Sequence, residues 1–506
     1  MTILNSIASW WMKKRMHQIE LFMKYPHEVQ NECLKKLLDA AKDTEWGKLY
    51  NYKNIQNAAQ FKEAVPLQDY ETLKPFIDRT RRGEQNILWN TDIIWFAKSS
   101  GTTNDKSKYI PVSKESLDEC HYNGGRDMIA IYCSLYPENQ LFTGKNLGLG
   151  GSLTTDSFGD YESQSGDLSA IVMNNLPIWA EFFRAPDLSI ALMDKWDDKL
   201  EKLSHAIADE NMVSLAGVPS WMLLIIKRVL EIKGKTSIID VWPNLEVYFH
   251  GGVNFIPYRE QFKALFNKKP GINYLELYNA SEGFFGIQDQ HDSDELLLML
   301  DYGIYYEFMP VDDLGITSSK TLSLDEVTLD TNYALVISST GGLWRYMVGD
   351  TIKFTSLHPY RFKITGRTKH FMNAFGEEVV VHNADKALSI ACEKSGAQIK
   401  EYTAAPVYMD GKNSGTHEWL IEFEKQPNTI EYFTEMLDNA LKSINSDYEA
   451  KRYKNLILKQ PIVRSVPENT FYKWFELKNK LGGQHKVPRL SNDRKHVEEI
   501  LGLMRP

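Results

Sequence analysis

Residues 99–103 read Ser-Ser-Gly-Thr-Thr. Ser99, Ser100, Thr102 and Thr103 place hydroxyls and backbone N–H groups around Gly101, which can adopt positive φ, and such a loop suits phosphate oxygens. Lys106 and Lys108 follow and would add positive charge. The pattern is not a GxxxxGK[ST] loop entering a helix, because "KYIPV" behind it has strand composition. Taken alone, the segment reads more readily as a polar surface hairpin.

Two further stretches carry usable groups. In "LELYNASEGFFG" (275–286), Ser281 and Glu282 are expected to end a strand and Gly283 to open the turn, at the position where open α/β sheets bind ligands. Glu282 suits magnesium, which takes one or two carboxylates beside phosphates and water, although a strand-to-loop turn with a solvated Glu explains the same residues. In "GGLWRYMVGDTIKF" (341–354), the two carboxylate oxygens of Asp350 match a pair of ribose hydroxyls. A Gly349–Asp350 hairpin turn accounts for that pair equally well. "HGGVNFIPYREQF" (250–262) supplies two glycines where an adenine or acyl chain would find close approach to the backbone, although a simple tight turn is the favoured reading, and "GLGGS" (148–152) lacks the third glycine of a dinucleotide fingerprint. The chain has no helical HExxH, no GxSxG elbow and no convincing Ser/Lys or Cys/His pairing. A reaction whose substrates supply the nucleophiles needs none of these.

The elements that must position these groups follow from hydrophobic period. Residues 27–90 read as mainly helical, with Val29, Cys33, Leu37 and Leu38 on one face. "IIWFA" (93–97) reads as a buried strand with "KYIPV" (108–112) as its returning partner, so the first loop lies between two strands. A long helix is expected next, from the capping-box spacing of Ser116 and Glu119. From 145 to 287 strands and helices alternate, the rhythm of an α/β construction with largely parallel sheets. Residues 297–366 turn into short strands, expected as a small β-barrel-like region or a distorted sheet. The remainder reads as an α+β unit, with helical face Ile430, Phe433, Leu437, Ala440 and Ile444 and a boundary close to "TGRTKHFMNAFGEE". The expected fold class is therefore α/β: a large N-terminal domain of mixed and parallel sheets, then a smaller α+β domain.

Composition narrows the partners. With 506 residues, 43% of them hydrophobic, the chain can bury a large core. Its net charge of −9 supplies no positive field for nucleic acid or anionic membrane. Cys33, Cys120, Cys133 and Cys392 form no CxxC pair, which argues against a disulfide framework and fits a reducing cytoplasm. No apolar run approaches the ~20 residues of a membrane span. In the N-terminal stretch the charges follow the apolar residues, the reverse of a signal peptide; an amphipathic helix on the protein's own core is the favoured reading.

Together, "SSGTT…KYIP", "YNASEGFFGI" and "YMVGDTIKF", in that order, resemble the three nucleotide motifs of the acyl-acid amido synthetases. That family is known from plant hormone conjugation and bacterial relatives, and forms a branch of the acyl-adenylate-forming superfamily of luciferases and acyl-CoA synthetases. "LAGVPSWM" and "QHKVPR" add minor agreements, and "TGRTKHFMNAFGEEV" is similar to the superfamily's general hinge. The resemblance implies that Ser99, Ser100, Gly101, Thr102 and Thr103 hold ATP phosphates, that Tyr278, Asn279, Ala280, Ser281 and Glu282 line adenine and the α-phosphate, and that Asp350 holds the ribose. Glu282 would position Mg2+, Arg367 would contact ribose or phosphate, and Lys486 would be the mobile lysine of adenylation. It further implies an adenylation domain over 1–367 and a C-terminal domain over 368–506 that rotates on a hinge near Arg367–Lys369. The partners implied are a small carboxylic acid and an amino acid. A thioester-forming acyl-CoA synthetase, with CoA as acceptor, and a non-catalytic binding protein on the same fold are the alternatives.

Overall fold

The computed structural model describes the chain apart from residues 1–2, 100–107, 177, 194–195, 253–254, 256–257, 267–271, 315–319, 369–370, 373–376, 378, 408–414, 446–447, 450–451, 453–454, 456–457, 479–485, 492 and 505–506. It divides into two compact units: residues 1–252 with 266–363, and residues 253–265 with 364–506.

In the first unit an eleven-stranded sheet runs, neighbour to neighbour, through Ile304–Pro310, Asn332–Ser339, Tyr346–Leu357, Tyr360–Arg367, Leu296–Leu298, Gly283–Ile287, Asn273–Ala280, Val247–Gly251, Met212–Gly217, Lys145–Gly148 and Arg184–Ala185. The last five strands pair in parallel, as expected for the alternating region. Connecting helices supply the crossovers that parallel strands require. One of them, Pro219–Lys233, starts with Pro219, buries Met222, Ile225, Ile226 and Val229, and ends at Gly234, whose φ of 59° suits a residue without a side chain. The strands of 297–366 continue the same sheet as its antiparallel half, the distorted-sheet form of that expectation. Aromatic rings fill that half: Phe308 packs edge-on against both Tyr333 and Phe354.

A four-stranded sheet holds the first motif. Trp95–Ser99 pairs antiparallel with Lys108–Val112, in register from Trp95 opposite Val112 to Ser99 opposite Lys108, and parallel with Tyr161–Gly166. The expected hairpin is present. The helix after it differs in its start. Ser113, not Ser116, is the capping residue: its hydroxyl accepts from the Ser116 N–H at 2.9 Å. Ser116–His121 then forms a π-helical turn that runs into helix Tyr122–Leu135.

Helix Ile3–Lys24 packs on the protein's own core, with Met12, Ile19 and Phe22 buried. Its Arg15 is buried against Asp127 at 2.8 Å, and Tyr302 donates to the same carboxylate at 2.8 Å. Asp127 lies on Tyr122–Leu135, so this ion pair ties the N-terminal helix to the one that extends the π turn.

The second unit is built on the sheet Gln398–Val407, Thr416–Lys425 and Ile462–Val466. Alternation sorts the two faces. Tyr402, Ala404, Trp419 and Ile421 pack with helices Val381–Ser395 and Ile430–Ile444, whereas Ala405 and Leu420 pack with Phe471, Trp474, Val487 and Val497. The excursion 253–265 joins this unit through Gln261, which donates to the Ile399 carbonyl at 3.2 Å.

Candidate functional site

Asn273–Ala280 and Gly283–Ile287 form an antiparallel hairpin in which Gly283 pairs with Ala280. Ser281 and Glu282 are therefore the two-residue turn itself rather than the end of the strand, and Gly283 begins the second strand instead of opening the turn, which comes two residues earlier than expected. Ser281 is buried, Glu282 and Ala280 are half-buried, and Asn279 is exposed. The turn stands at the carboxyl end of the last parallel strand. A Cβ on Gly283 would come within 2.6 Å of the Ile304 side chain, so glycine is required for the close approach of the neighbouring strand.

Gly349 and Asp350 lie within strand Tyr346–Leu357 rather than in a hairpin turn. Gly349 has φ of 94°, a backbone setting that favours glycine. Asp350 is buried, and the Tyr278 hydroxyl donates to its Oδ2 at 2.6 Å. The second and third motifs thus meet directly. The Tyr278 ring is braced by Phe285 and Phe362, with centroids 4.9 Å and 6.0 Å away.

A small niche brings the first and second motifs together with a segment that sequence reasoning passed over. Pro111, from the strand after the first motif, Ser281, Glu282, Thr340, Gly341 and His121 line it. The run Ser339-Thr340-Gly341-Gly342 ends strand Asn332–Ser339, and Ser113 fixes it by donating to the Thr340 carbonyl at 2.8 Å. Gly342 has φ of 83°, and a side chain there would meet Leu88. A Ser-Thr-Gly-Gly run closing a strand is the signal that marks this segment; His121 carries no sequence signal beyond its residue type.

Two of the titratable groups at the niche, His121 and Cys120, are uncharged near pH 7. Burial pushes the His121 pKa down to about 4, so its imidazole is neutral near pH 7. Burial pushes the Cys120 thiol up to about 12, and its Sγ accepts from the Phe284 N–H at 3.1 Å. Cys120 is therefore protonated and structural. Among the described residues no group of three or more His, Cys, Asp and Glu side chains surrounds a metal position. The half-buried Glu282 fits a hard cation that takes the rest of its oxygens from phosphate and water.

Of the remaining expected residues, Ser99 closes its strand opposite Lys108. The Lys108 ammonium lies 5.8 Å from the centre of the Tyr70 ring. Ser100, Gly101, Thr102, Thr103 and Lys106 lie outside the described residues, as does the side chain of Arg367, the last residue of strand Tyr360–Arg367. Lys486 belongs to the second unit and is half-buried. The chain behind it is pinned: Val487 is in the core, Thr403 donates to the Pro488 carbonyl at 2.5 Å, and the Ala404 N–H donates to the Arg489 carbonyl at 2.9 Å.

This fold is shared with adenylate-forming ligases. A solved acyl acid amido synthetase, GH3.15, superposes with a TM-score of 0.80 at 16% identity over 97% of this chain and 96% of that one. A 2-hydroxyisobutyryl-CoA ligase in its postadenylation state superposes at 0.59 with 12% identity, covering 93% and 91%. The chain belongs to the GH3 family: residues 15–271 match the GH3 family N-terminal domain, 297–367 the central domain and 382–495 the C-terminal domain. Among curated relatives, the indole-3-acetic acid-amido synthetase GH3.3 of Arabidopsis thaliana is 23% identical over 94% of this chain and 91% of its own length. The 4-substituted benzoates-glutamate ligase GH3.12 of the same plant is 22% identical, covering 93% and 94%. The family expected from the three motifs is the one found.

Proposed function

We propose that the chain is an ATP-dependent acyl-acid amido synthetase: it adenylates a small carboxylic acid and passes the acyl group to the amine of an amino acid. The observation that carries this reading is the meeting of the three motif regions in one unit, through Tyr278 and Asp350 on one side and Pro111, Ser281 and Glu282 on the other. A substrate carboxylate oxygen attacks the α-phosphorus and pyrophosphate leaves. The amine then attacks the acyl carbon, AMP leaves, and the amine proton passes to solvent. No protein nucleophile takes part, which agrees with the absence of any such constellation in the sequence.

In this reading Asp350, held in place by Tyr278, accepts from the ribose hydroxyls, and residues 278–282 line adenine and the α-phosphate. Ser99 to Thr103 bind the phosphates, with Arg367 on ribose or phosphate. A magnesium ion held by Glu282 and phosphate oxygens would neutralise charge on the leaving pyrophosphate. Lys486 serves adenylation from the C-terminal domain, 368–506, against the adenylation domain, 1–367. The four cysteines, none of them in a disulfide, support a cytoplasmic setting. Among the described residues no helix is long and apolar enough to cross a membrane.

The test is acid-dependent pyrophosphate exchange with indole-3-acetic, benzoic, 4-hydroxybenzoic, phenylacetic and straight-chain acids. Mass spectrometry with pooled amino acids or CoA then follows. Exchange and an acyl-amino acid product are expected. No exchange with any acid overturns adenylation; a thioester without amide selects an acyl-CoA synthetase.

A further inference from the structure

His121 is 8% exposed, its side chain makes no hydrogen bond or ion pair with any described residue, and it lines the niche together with Ser281 and Glu282. Its ring nitrogens are not among the fully buried side-chain atoms that lack a partner, so the imidazole keeps an accessible polar edge that a ligand in the niche can engage. The backbone adds a second sign. The Ser116–His121 turn is π-helical, a rare conformation that gathers at functional sites because the widened turn re-aims side chains. Here it leaves Ser116, Leu117, Cys120 and His121 all buried.

We propose that His121 contacts the substrate, donating an N–H hydrogen bond to the carboxylate of the acyl acid in the niche beside Ser281 and Glu282. This rests on the adenylation reading above. The niche has a volume of about 10 Å³, room for one water-sized group, so a ring does not enter it and a single carboxylate oxygen is of the size it admits. The attacking oxygen must lie beside the α-phosphorus, and the 281–282 turn is the part of the site assigned to that phosphate. A donor lining the same niche therefore falls on the nucleophilic carboxylate.

The neutral state of the imidazole matters to the chemistry. A cation at this position would pair with the carboxylate and lower its nucleophilicity, whereas a neutral N–H orients one oxygen and leaves the other free to attack. After adenylation the same N–H faces the acyl carbonyl oxygen, which gains negative charge as the amine adds to the carbonyl carbon. His121 thus serves both half-reactions without transferring a proton.

The experiment compares His121→Phe, which removes the donor and keeps an aromatic ring, with His121→Gln, which keeps an amide N–H. The readouts are pyrophosphate exchange, using the acid of the panel that exchanges fastest with wild type, and aminolysis of its synthetic acyl-adenylate. H121F is expected to lower kcat/KM for the acid and the aminolysis rate by about a hundredfold each, with KM for ATP and the melting temperature unchanged. H121Q is expected to recover most of both. The proposal is overturned if H121F stays within about twofold of wild type, if KM for ATP rises with that for the acid, or if H121Q is no better than H121F. Should H121F not fold, His121→Asn against His121→Leu gives the same comparison. Wild-type protein without acid-dependent exchange would overturn the adenylation reading and this inference together; normal exchange in both wild type and H121F overturns this inference alone.

Discussion

In the proposed reading Asp350 holds two ribose hydroxyls only if its carboxylate is correctly turned, and the Tyr278 hydroxyl at 2.6 Å does the turning. Hydrogen bonds to charged groups are worth about 1.5–3 kcal/mol, equivalent to about 10- to 100-fold in an equilibrium constant. Tyr278→Phe is accordingly expected to raise KM for ATP about tenfold or more while leaving KM for the acid unchanged, measured by pyrophosphate exchange. An equal change in both constants would mean that Tyr278 acts on the whole pocket. The two residues stand 72 positions apart, and nothing in either motif announces their contact. A turn beside Ser281 and Glu282 was legible because Gly283 follows a strand pattern, but its place on those two residues was not. His121 was not legible, because a histidine after a cysteine on an amphipathic helix looks the same whether it meets solvent, core or ligand.

At the scale of elements, the third motif is held by Arg345, whose five N–H groups are all engaged. They reach Glu307, the carbonyls of Lys62 and Val65, and the Thr321 hydroxyl, at 2.6–3.2 Å. This clamps the N-terminal helices to strands Ile304–Pro310 and Tyr346–Leu357. Arg345→Met strands the fully buried Glu307 carboxylate and is expected to cost about 3–5 kcal/mol in denaturant unfolding. Adding Glu307→Gln should recover part of that loss; no recovery would show that the arginine's packing matters more than its charge. In the second unit Asp438 plays the equivalent part. Burial opposes its charge, but hydrogen bonds from Arg452, Lys442 and Tyr448 outweigh it and hold the carboxyl below the usual range. A depressed folded-state pKa gives stability that is present above about pH 4, the unfolded value, and is lost as pH falls through the folded one. The melting-temperature gap between wild type and Asp438→Asn should therefore narrow below about pH 4; a constant gap would rule out this carboxylate as an acid-sensitive support.

For the whole molecule, the proposed division of labour between two units has a kinetic signature. Lys486→Ala is expected to abolish adenylation and leave aminolysis of supplied acyl-adenylate near the wild-type rate. Equal loss of both would remove Lys486 from its role. The order of the three motifs, the alternation of strands and helices over 145–287, the α+β character of the last part and the family itself were written in local sequence, because hydrophobic period and turn chemistry act over a few residues. What only the tertiary structure decided depends on contacts between distant segments. Burial assembles these from parts with no sequence proximity: the continuity of the 297–366 strands with the parallel sheet, the Tyr278–Asp350 bond, the Ser-Thr-Gly-Gly wall and the inward turn of His121. The hydroxyl-rich loop was visible in the sequence from the start; the niche that gives the carboxylate its place exists only once strand 108–112, turn 281–282 and the 339–341 segment have packed together.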